Sequence, residues 1–429
     1  MATAAIASRR RAPSARARSA AVQRPLEYSI LYTAVLCLLA TGAVMVYSAS
    51  SAESALGSGD PSLYLKRYVV LGLIGLGALH LVSRHGLRFV RAATPALLVV
   101  SLALVVAVML PGIGVTINGA TRWIAAGPLQ FQPSELLKLA LILYGVRLLA
   151  DRPDSVKTLG GLFKPFLLVV LAACALLLKQ PDMGTALVIC FATGTLLIAA
   201  GAPLRLLVGI GGAGAALALV VALIEPYRRE RLTAFLDPFA DAGDTGFQAV
   251  QALTAIGSGG FFGVGLGESV QKVFYLPEAH TDMILAIIGE EIGLVGVLGV
   301  AVLYGLIGYA GLRAAKRARD RYSKLLAAGI TSLILCQAML NFFAVLGLAP
   351  LTGIPLPFIS YGSTNLIVLL AGMGLVLNVA ATGGLGKATS EDGKLTAIGG
   401  GSDAEGRDRG RRDGRTRRAG AGHRRGAAG

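Results

Sequence analysis

The segment Tyr275–Met283 carries three side chains that can exchange protons or bind a metal. Glu278, His280 and Asp282 lie within five residues of one another. A positioned carboxylate can act as a general base, and one imidazole with two carboxylates could hold a metal, although this spacing is weakly specific. A carboxylate at a helix start is often only a cap. Glu290 would lie about 80° round the same helix from Asp282, so it could line the same cavity.

A second polar group leads into an apolar stretch that begins near residue 134. Glu135 and Lys138 are three residues apart and share a helix face, where an ion pair would offset part of the cost of burial. The pair is either structural or a substrate contact. Arg122 beside Trp123 is either an interfacial anchor or a phosphate clamp with an aromatic shelf for a sugar.

Two further segments place charges at turns. Lys179 and Asp182 flank Pro181 in a turn between apolar stretches, although a bare turn needs no charge pair. Arg231 belongs to a long polar loop further along the chain. These positions suit contact with a lipid headgroup.

Two loops have unusual backbone composition. Residues 257–267 contain six glycines, whose backbone N–H groups could converge on an anion, although a flexible surface loop is the simpler interpretation. Residues 350–362 contain three prolines and include Ser360, which predicts a rigid, non-helical segment. Such a segment is tolerated at membrane depth only where it lines a cavity or packs within protein.

The composition indicates which elements must position these groups. Hydrophobic residues make up 54% of the chain and charged residues 15%, with a mean hydropathy of +0.67, so an ordinary soluble enzyme is excluded. About 20 apolar residues span the hydrocarbon core as a helix. We therefore predict an all-α integral membrane protein with ten transmembrane helices. The predicted spans are residues 29–49, 68–83, 94–110, 134–150, 163–179, 183–201, 206–224, 282–312, 325–349 and 363–382.

Lys and Arg in short loops predict the orientation, because such loops are retained in the cytoplasm. The basic loops alternate with less basic ones, which places both termini in the cytoplasm. The opposite loops are residues 50–67, 111–133, 180–182, 225–281 and 350–362. The large extracytoplasmic loop then lies between helices 7 and 8.

The two tails differ from the rest of the chain. Residues 1–27 carry six Arg and one Glu, and residues 383–429 carry eleven basic and six acidic residues, with few large apolar side chains in either. They cannot bury a core, so we predict disordered basic cytoplasmic tails flanking a membrane domain over residues 28–382. Attraction to anionic lipid is possible for such tails. Nucleic acid is not a predicted partner, because the tails lack interspersed aromatic residues and their sequence shows no nucleic-acid-binding fold.

Taken together, these segments resemble the SEDS family of cell-wall polymerases, the group that contains FtsW, RodA and SpoVE. The resemblance covers residues 28–382 and includes, in order, G-x-x-R-W-I, F-Q-P-S-E-L-x-K, K-x-P-D-x-G-T, A-I-G-S-G-G, L-P-E-A-H-T-D and P-L-P-F-I-S-Y-G-S. Around Asp282 the sequence is more similar to the division branch, because the elongation branch more often has a charged residue where Ala279 stands.

The resemblance implies a peptidoglycan glycosyltransferase that polymerises lipid II. It also implies a multi-pass protein of the bacterial cytoplasmic membrane at the division septum, with a class B penicillin-binding protein and other divisome proteins as partners. Asp282 is the implied catalytic residue. The other candidate site residues, all assigned to substrate binding, are Arg122, Trp123, Glu135, Lys138, Lys179, Asp182, Arg231, His280, Glu290 and Ser360.

The residue types suit this chemistry without the resemblance. Outside the cell there is no nucleotide pool, so a sugar donor must carry its own activation, as a polyprenyl diphosphate does. One base suffices when cations stabilise the leaving diphosphate. Arg122, Lys138, Lys179 or a divalent cation, Mg²⁺ or Mn²⁺, could supply that charge. The alternatives are a lipid II flippase, an elongation-type polymerase and a division scaffold without catalysis.

Overall fold

The computed structural model describes residues 25–399 apart from 118, 127–128 and 225. Within this part the chain is mostly helical, and seven helices are long and apolar enough to cross a membrane, so this is a multi-pass membrane protein. The helices are α1 (Leu26–Ser58), α2 (Leu63–Arg84), α3 (Leu87–Val108), α4 (Pro133–Asp151), α5 (Leu168–Lys179), α6 (Met183–Ala200), α7 (Leu204–Ile224), α8 (Pro226–Leu236), α9 (Phe247–Gly259), α10 (Ile284–Glu291), α11 (Gly293–Arg317), α12 (Arg321–Val345) and α13 (Ser363–Gly399).

The seven helices are α1, α2, α3, α6, α11, α12 and α13. Helix α4 carries Glu135, Lys138 and Arg147 within its length, and α5 follows a π-helical turn over Phe163–Leu167. The latter turn contains Pro165, which lacks the N–H that a regular helix requires. The total of ten helices, the membrane orientation and the side occupied by residues 225–281 therefore remain predictions.

The predicted eighth span, residues 282–312, is two helices rather than one. Helix α10 ends at Glu291, and α11 begins at Gly293, whose φ of +74° is a left-handed conformation that favours glycine. The glycine-rich segment after α9 packs on this break: the N–H groups of Val264 and Gly265 donate to the carbonyls of Glu290 and Glu291. These backbone groups are thus used within the fold rather than on an anion.

A small antiparallel sheet between α3 and α4 departs from the all-helical expectation. Its strands are β1 (Gly114–Ile117), β2 (Ala120–Ala126) and β3 (Leu129–Phe131), in the order β1-β2-β3. Val115 pairs with Trp123, and Ile124 pairs with Phe131. The sheet is joined to the start of α13, because Thr364 Oγ1 accepts a hydrogen bond of 2.9 Å from the N–H of Gln132.

Helix α12 lies in the interior and packs against α4, α6 and α11. Most of α12 is buried, whereas less than a third of the apolar window of α2 or of α3 is buried, as expected of helices that face lipid. Helix α13 extends to Gly399, beyond residue 382 where the sequence predicts the membrane domain to end. Residues 1–24 and 400–429 lie outside the described part, so the predicted disorder of the tails is not tested.

Candidate active site

A cavity of about 740 Å³ is lined by segments that are distant in sequence. They are the end of α1, the start of α2, the small sheet with Gln132, Gln248 of α9, residues 277–282 and parts of residues 353–365. All lie in or beside the loops that the charge pattern predicts on the outer side. The cavity holds the carboxylates of Glu53, Glu278 and Asp282 and the guanidinium groups of Arg67 and Arg122.

Asp282 lies in the turn immediately before α10 and lines the cavity. The N-cap residue of α10 is Met283, one residue after Asp282, and its side chain makes no capping hydrogen bond. Thr281 Oγ1 lies 3.3 Å from Asp282 Oδ1. The backbone carbonyl of Asp282 accepts a hydrogen bond of 2.7 Å from the buried amide of Asn341.

His280 forms part of an aromatic wall next to Asp282. Its ring lies 4.4 Å from the ring of Tyr64 and 5.9 Å from that of Tyr361, measured between centroids. Its Nδ1 lies 3.5 Å from Glu53 Oε2. Burial lowers the pKa of His280 below its ordinary value, although the charges of Glu53 and Glu278 act in the opposite direction. The imidazole is therefore held mainly in its neutral form at neutral pH.

Arg122 and Trp123 come from β2 and face the cavity from another side. The guanidinium donates from Nε to the carbonyl of Gln180 over 3.0 Å and from Nη2 to that of Pro181, and its Nη1 lies 3.9 Å from Asp182 Oδ1. Asp182 caps α6, where it accepts a hydrogen bond from the N–H of Thr185. The turn at residues 180–182 thus holds the guanidinium of Arg122 in place. Asp182 affects the cavity only through Arg122.

The buried pair of α4 does not line the cavity. Lys138 Nζ lies 2.9 Å from Glu135 Oε2 and donates to Gln337 Oε1 over 2.8 Å, and both charged side chains are almost fully buried. Of the two hypotheses made for this pair, the geometry favours the structural one. Lys179 is exposed at the end of α5 and is also outside the cavity lining.

Glu290 and Ser360 also lie away from the cavity, because each is used by a nearby backbone segment. Glu290 accepts hydrogen bonds from Ser269 Oγ over 2.5 Å and from the N–H of Val270 over 3.0 Å. Ser360 Oγ accepts from the N–H of Leu356 over 2.8 Å. The helical rotation that predicted Glu290 in the cavity does not apply, because Asp282 lies in the turn before α10 and the two residues do not belong to one continuous helix. Arg231 belongs to α8, and its side chain is outside the described part.

Glu291, which follows Glu290, forms a second buried ion pair. Its carboxylate lies 2.8 Å from Lys272 Nζ and accepts hydrogen bonds of 2.6 and 2.8 Å from Ser48 Oγ of α1. Lys272 also donates to the carbonyl of Gly267 over 2.6 Å. These contacts hold the loop that leads to Asp282 against α1 and the α10–α11 break.

The described residues contain no group of three or more His, Cys, Asp or Glu side chains able to hold a metal ion. Glu278, His280 and Asp282 are therefore close in sequence without forming such a group. Glu278 is instead engaged by Thr281, whose Oγ1 donates to Glu278 Oε2 over 2.7 Å.

Several residues of the site were not expected from the sequence. Glu53, Tyr64 and Arg67 line the cavity but lie outside the motifs found in the sequence, and Tyr361 lies in one of those motifs without having been given a role. The sequence signal that points to this polar region is a pair of amides four residues apart inside the apolar stretch 325–349, Gln337 and Asn341. A buried amide must find partners, so its presence in a span indicates a nearby polar structure.

Known proteins resemble this chain over most of its length. The family model described as "Cell cycle protein", for FtsW, RodA and SpoVE, matches residues 29–383. A relative named as a probable peptidoglycan glycosyltransferase FtsW from Trichlorobacter lovleyi is 41% identical, over 86% of this chain and 98% of that protein. Stage V sporulation protein E of Bacillus subtilis is 37% identical, over 82% of this chain and 96% of its own length.

Solved structures indicate the same family as the sequence comparisons. A chain from a peptidoglycan synthase complex studied for the coordination of polymerisation and crosslinking has a TM-score of 0.67 and 34% identity, covering 82% of this chain and 96% of that chain. The rod shape determining protein RodA of Thermus thermophilus has a TM-score of 0.60 and 30% identity, covering 82% and 95%. The predicted family is confirmed: this chain belongs to the FtsW/RodA/SpoVE family.

Proposed function

We propose that this protein is a peptidoglycan glycosyltransferase that polymerises lipid II at the outer face of the cytoplasmic membrane during septal wall synthesis. The names of its FtsW relatives support the activity and the division role. The observation that carries the proposal is the cavity that brings Asp282 of one loop together with Arg122 and Trp123 of strand β2. A base, a cation and an aromatic surface are what transfer from a diphosphate-linked sugar requires.

In this mechanism Asp282 accepts the proton of the acceptor sugar's 4-hydroxyl as that oxygen attacks the donor's anomeric carbon. The bond from that carbon to the diphosphate breaks, its electron pair leaves with the diphosphate, and the configuration inverts. Because the leaving group is already an anion, stabilisation by cations replaces a second carboxylic acid. The chain's own candidates for that charge are Arg122 and Arg67, which line the cavity, rather than Lys138 and Lys179, which do not.

The walls of the cavity suit two different parts of the substrates. Arg122 is held by backbone carbonyls, so it can meet a diphosphate with little loss of side-chain freedom. Tyr64, His280 and Tyr361 form an aromatic surface beside Asp282, with Glu53 as a hydrogen-bond acceptor. A sugar on this wall would present its hydroxyl to Asp282. The acceptor is therefore assigned to the His280 side and the donor diphosphate to the Arg122 side.

The partner we propose is a class B penicillin-binding protein whose single membrane helix packs near α11. Gly299 and Gly305 of α11 are exposed and have open space where a Cβ would lie, so another helix could approach closely. Photocrosslinking residues placed at Val295, Val302 and Leu306 should capture the partner. Capture from positions on α3 alone would contradict this surface.

The decisive experiment compares Asp282→Asn with wild type in liposomes that contain lipid II and the partner. Asparagine keeps the size of the side chain but cannot accept the proton, so we expect a loss of at least ~10²-fold in polymerisation. Thermal stability and partner binding should be unchanged. Asp60→Asn is the matched control, because Asp60 pairs with Lys66 outside the cavity.

Two outcomes would contradict the proposal. A stable, partner-bound Asp282→Asn protein that makes glycan at nearly the wild-type rate would remove Asp282 from the mechanism. Wild-type protein that moves lipid II between leaflets without forming glycosidic bonds would identify a flippase instead. Glycan strands from the same vesicles support the polymerase.

A further inference from the structure

A line of buried polar side chains runs through the protein beneath the cavity. It begins at the Glu135–Lys138 ion pair of α4 and continues to Gln337 and Asn341, which are four residues apart on one face of α12. Gln337 is fully buried and Asn341 is 2% exposed. Neither amide lines the cavity, so neither is placed to touch substrate.

The hydrogen bonds of Gln337 determine its orientation. Lys138 can only donate, so Oε1 of Gln337 must face Nζ, and the two atoms are 2.8 Å apart. The Nε2 group is thereby directed to the carbonyl of Pro355, at 2.9 Å, and to Asn365 Oδ1, at 3.2 Å. Pro355 and Asn365 both line the cavity. The buried ion pair is thus connected to the cavity wall through one amide.

Asn341 joins two wall segments directly. Its Nδ2 donates to the carbonyl of Asp282 over 2.7 Å and to that of Ile354 over 2.8 Å. Since both partners only accept, the NH₂ group must face them. One side chain therefore ties the turn that carries Asp282 to the rigid segment that forms the opposite part of the wall.

The amide of Asn341 is hydrogen-bonded on one side only. Its Oδ1 is buried and has no hydrogen-bond partner within the described residues. An unpaired buried carbonyl oxygen costs free energy, and the two hydrogen bonds that offset this cost are those to the carbonyls of Asp282 and Ile354. All the hydrogen bonding of this side chain is thus directed at the backbone of the candidate base and of the facing segment.

We propose that Asn341 is a positioning residue for Asp282, and that Gln337, oriented by the Glu135–Lys138 pair, holds the facing segment through Pro355. This inference rests on the proposed function of Asp282 as the base. It assigns the ion pair of α4 an indirect role in the reaction, through the wall of the cavity. Small displacements of a reacting group cost large factors in rate, so the effect belongs in kcat.

The test compares Asn341→Leu and Gln337→Met with a matched control, Asn378→Leu. Asn378 of α13 makes the same kind of clamp, donating to the carbonyls of Ser83 at 2.7 Å and His85 at 3.0 Å, but lies outside the cavity lining. For each variant, kcat and KM for lipid II are measured with the partner present. Hydrogen exchange is followed at the amides of Thr281, Met283 and Tyr361, which are hydrogen-bonded across or within the two wall segments.

We expect Asn341→Leu to lower kcat by ~10-fold or more with KM within about 3-fold, and to speed exchange at Thr281, Met283 and Tyr361. Gln337→Met should speed exchange at Tyr361 and should lower kcat by a smaller factor than Asn341→Leu. Asn378→Leu should leave both kcat and these amides unchanged. If Asn341→Leu does not fold, Asn341→Ser, which keeps one donor, should show the same changes at smaller size.

Wild-type kcat in Asn341→Leu would overturn the proposal, as would a loss of kcat with unchanged exchange at those three amides. Failure of the proposed function is a separate result, since wild-type protein would then make no glycan. Faster exchange in Asn341→Leu would still establish the clamp in that case, and only its catalytic purpose would be refuted.

Discussion

At the scale of single residues, the candidate base and its neighbours differ in how they are held. Asp282 has its backbone tied by Asn341 and its carboxylate directed to a polar cavity, whereas Glu290 and Glu291 are consumed by hydrogen bonds within the fold. Carboxylates that look alike in sequence therefore have separate tasks. The distinction depends on which of them lines the cavity.

Lys138 and Lys179, the two lysines that the sequence offers for stabilising the leaving diphosphate, should respond differently to mutation. Lys138→Met strands Glu135 in a low-dielectric interior, so we expect a loss of about 3–5 kcal/mol in stability together with reduced polymerisation. Lys179→Met removes an exposed charge and should change stability by no more than about 0.5 kcal/mol. Thermal unfolding and polymerisation assays of both variants check this. Equal stability of the two would contradict the buried-pair interpretation.

His280 predicts a pH dependence of stability. Burial lowers its folded-state pKa below the ordinary value of 6.5, so on acidification the unfolded chain binds a proton first. Stability should then fall as the pH drops from about 6.5 towards the lower folded pKa and be unaffected by His280 above about 7.5. In His280→Asn the fall in melting temperature over this range should be smaller. An identical pH profile in wild type and variant would show that His280 is not responsible.

At the scale of elements, the break between α10 and α11 matters most for the site. It separates α10 and the preceding turn, which lines the cavity, from α11, which continues as an ordinary span. The glycine-rich segment after α9 fits against the break because its backbone lies within contact distance of Gly293. Such close approach is available only where no Cβ intervenes.

Gly293→Ala tests this packing. The new Cβ would meet the backbone nitrogen of Gly263 at 2.4 Å and the carbonyl oxygen of Phe261 at 2.6 Å, and it would have to adopt a φ of +74°. We expect a loss of at least about 2 kcal/mol in stability, measured by thermal unfolding without the partner. Gly299→Ala of the same helix, where a Cβ meets nothing within 4 Å, is the control and should be neutral or slightly stabilising. Similar melting temperatures for the two variants would contradict the role assigned to the break.

At the scale of the whole molecule, catalysis should depend on the membrane domain. All lining residues of the cavity fall between Glu53 and Asn365, and the compact unit that contains them ends at Leu385. The tails are rich in Arg, Gly, Ala and Asp and poor in large apolar residues, so they have no means of building a site.

Removing both tails should therefore have little effect on the reaction. We expect protein comprising residues 25–385 to polymerise lipid II within about 3-fold of the full chain when the partner is supplied, since no group of the cavity is lost. Size-exclusion chromatography establishes that the shortened protein is folded. A well-folded sample that has lost most of its activity would show that a tail contributes to catalysis or to its activation.

Composition and local pattern were sufficient to predict that this is a membrane protein, where most of its helices lie, and which segment carries Asp282. Apolar length determines where a helix can cross lipid, and charges in short loops predict which side they face. The small sheet was missed, although Asn118-Gly119 between alternating residues is a recognised hairpin signal.

Only the tertiary structure decided which polar groups share the cavity. Arg122 meets the turn of Asp182, Glu53 meets His280, and Asn341 reaches Asp282, each across at least 58 residues of chain. No local pattern encodes such pairs, because they depend on how helices pack around α12. The helical rotation from Asp282 to Glu290 was misleading for a related reason: helical periodicity holds only within a helix, and Asp282 lies in the turn before α10, which begins at Ile284.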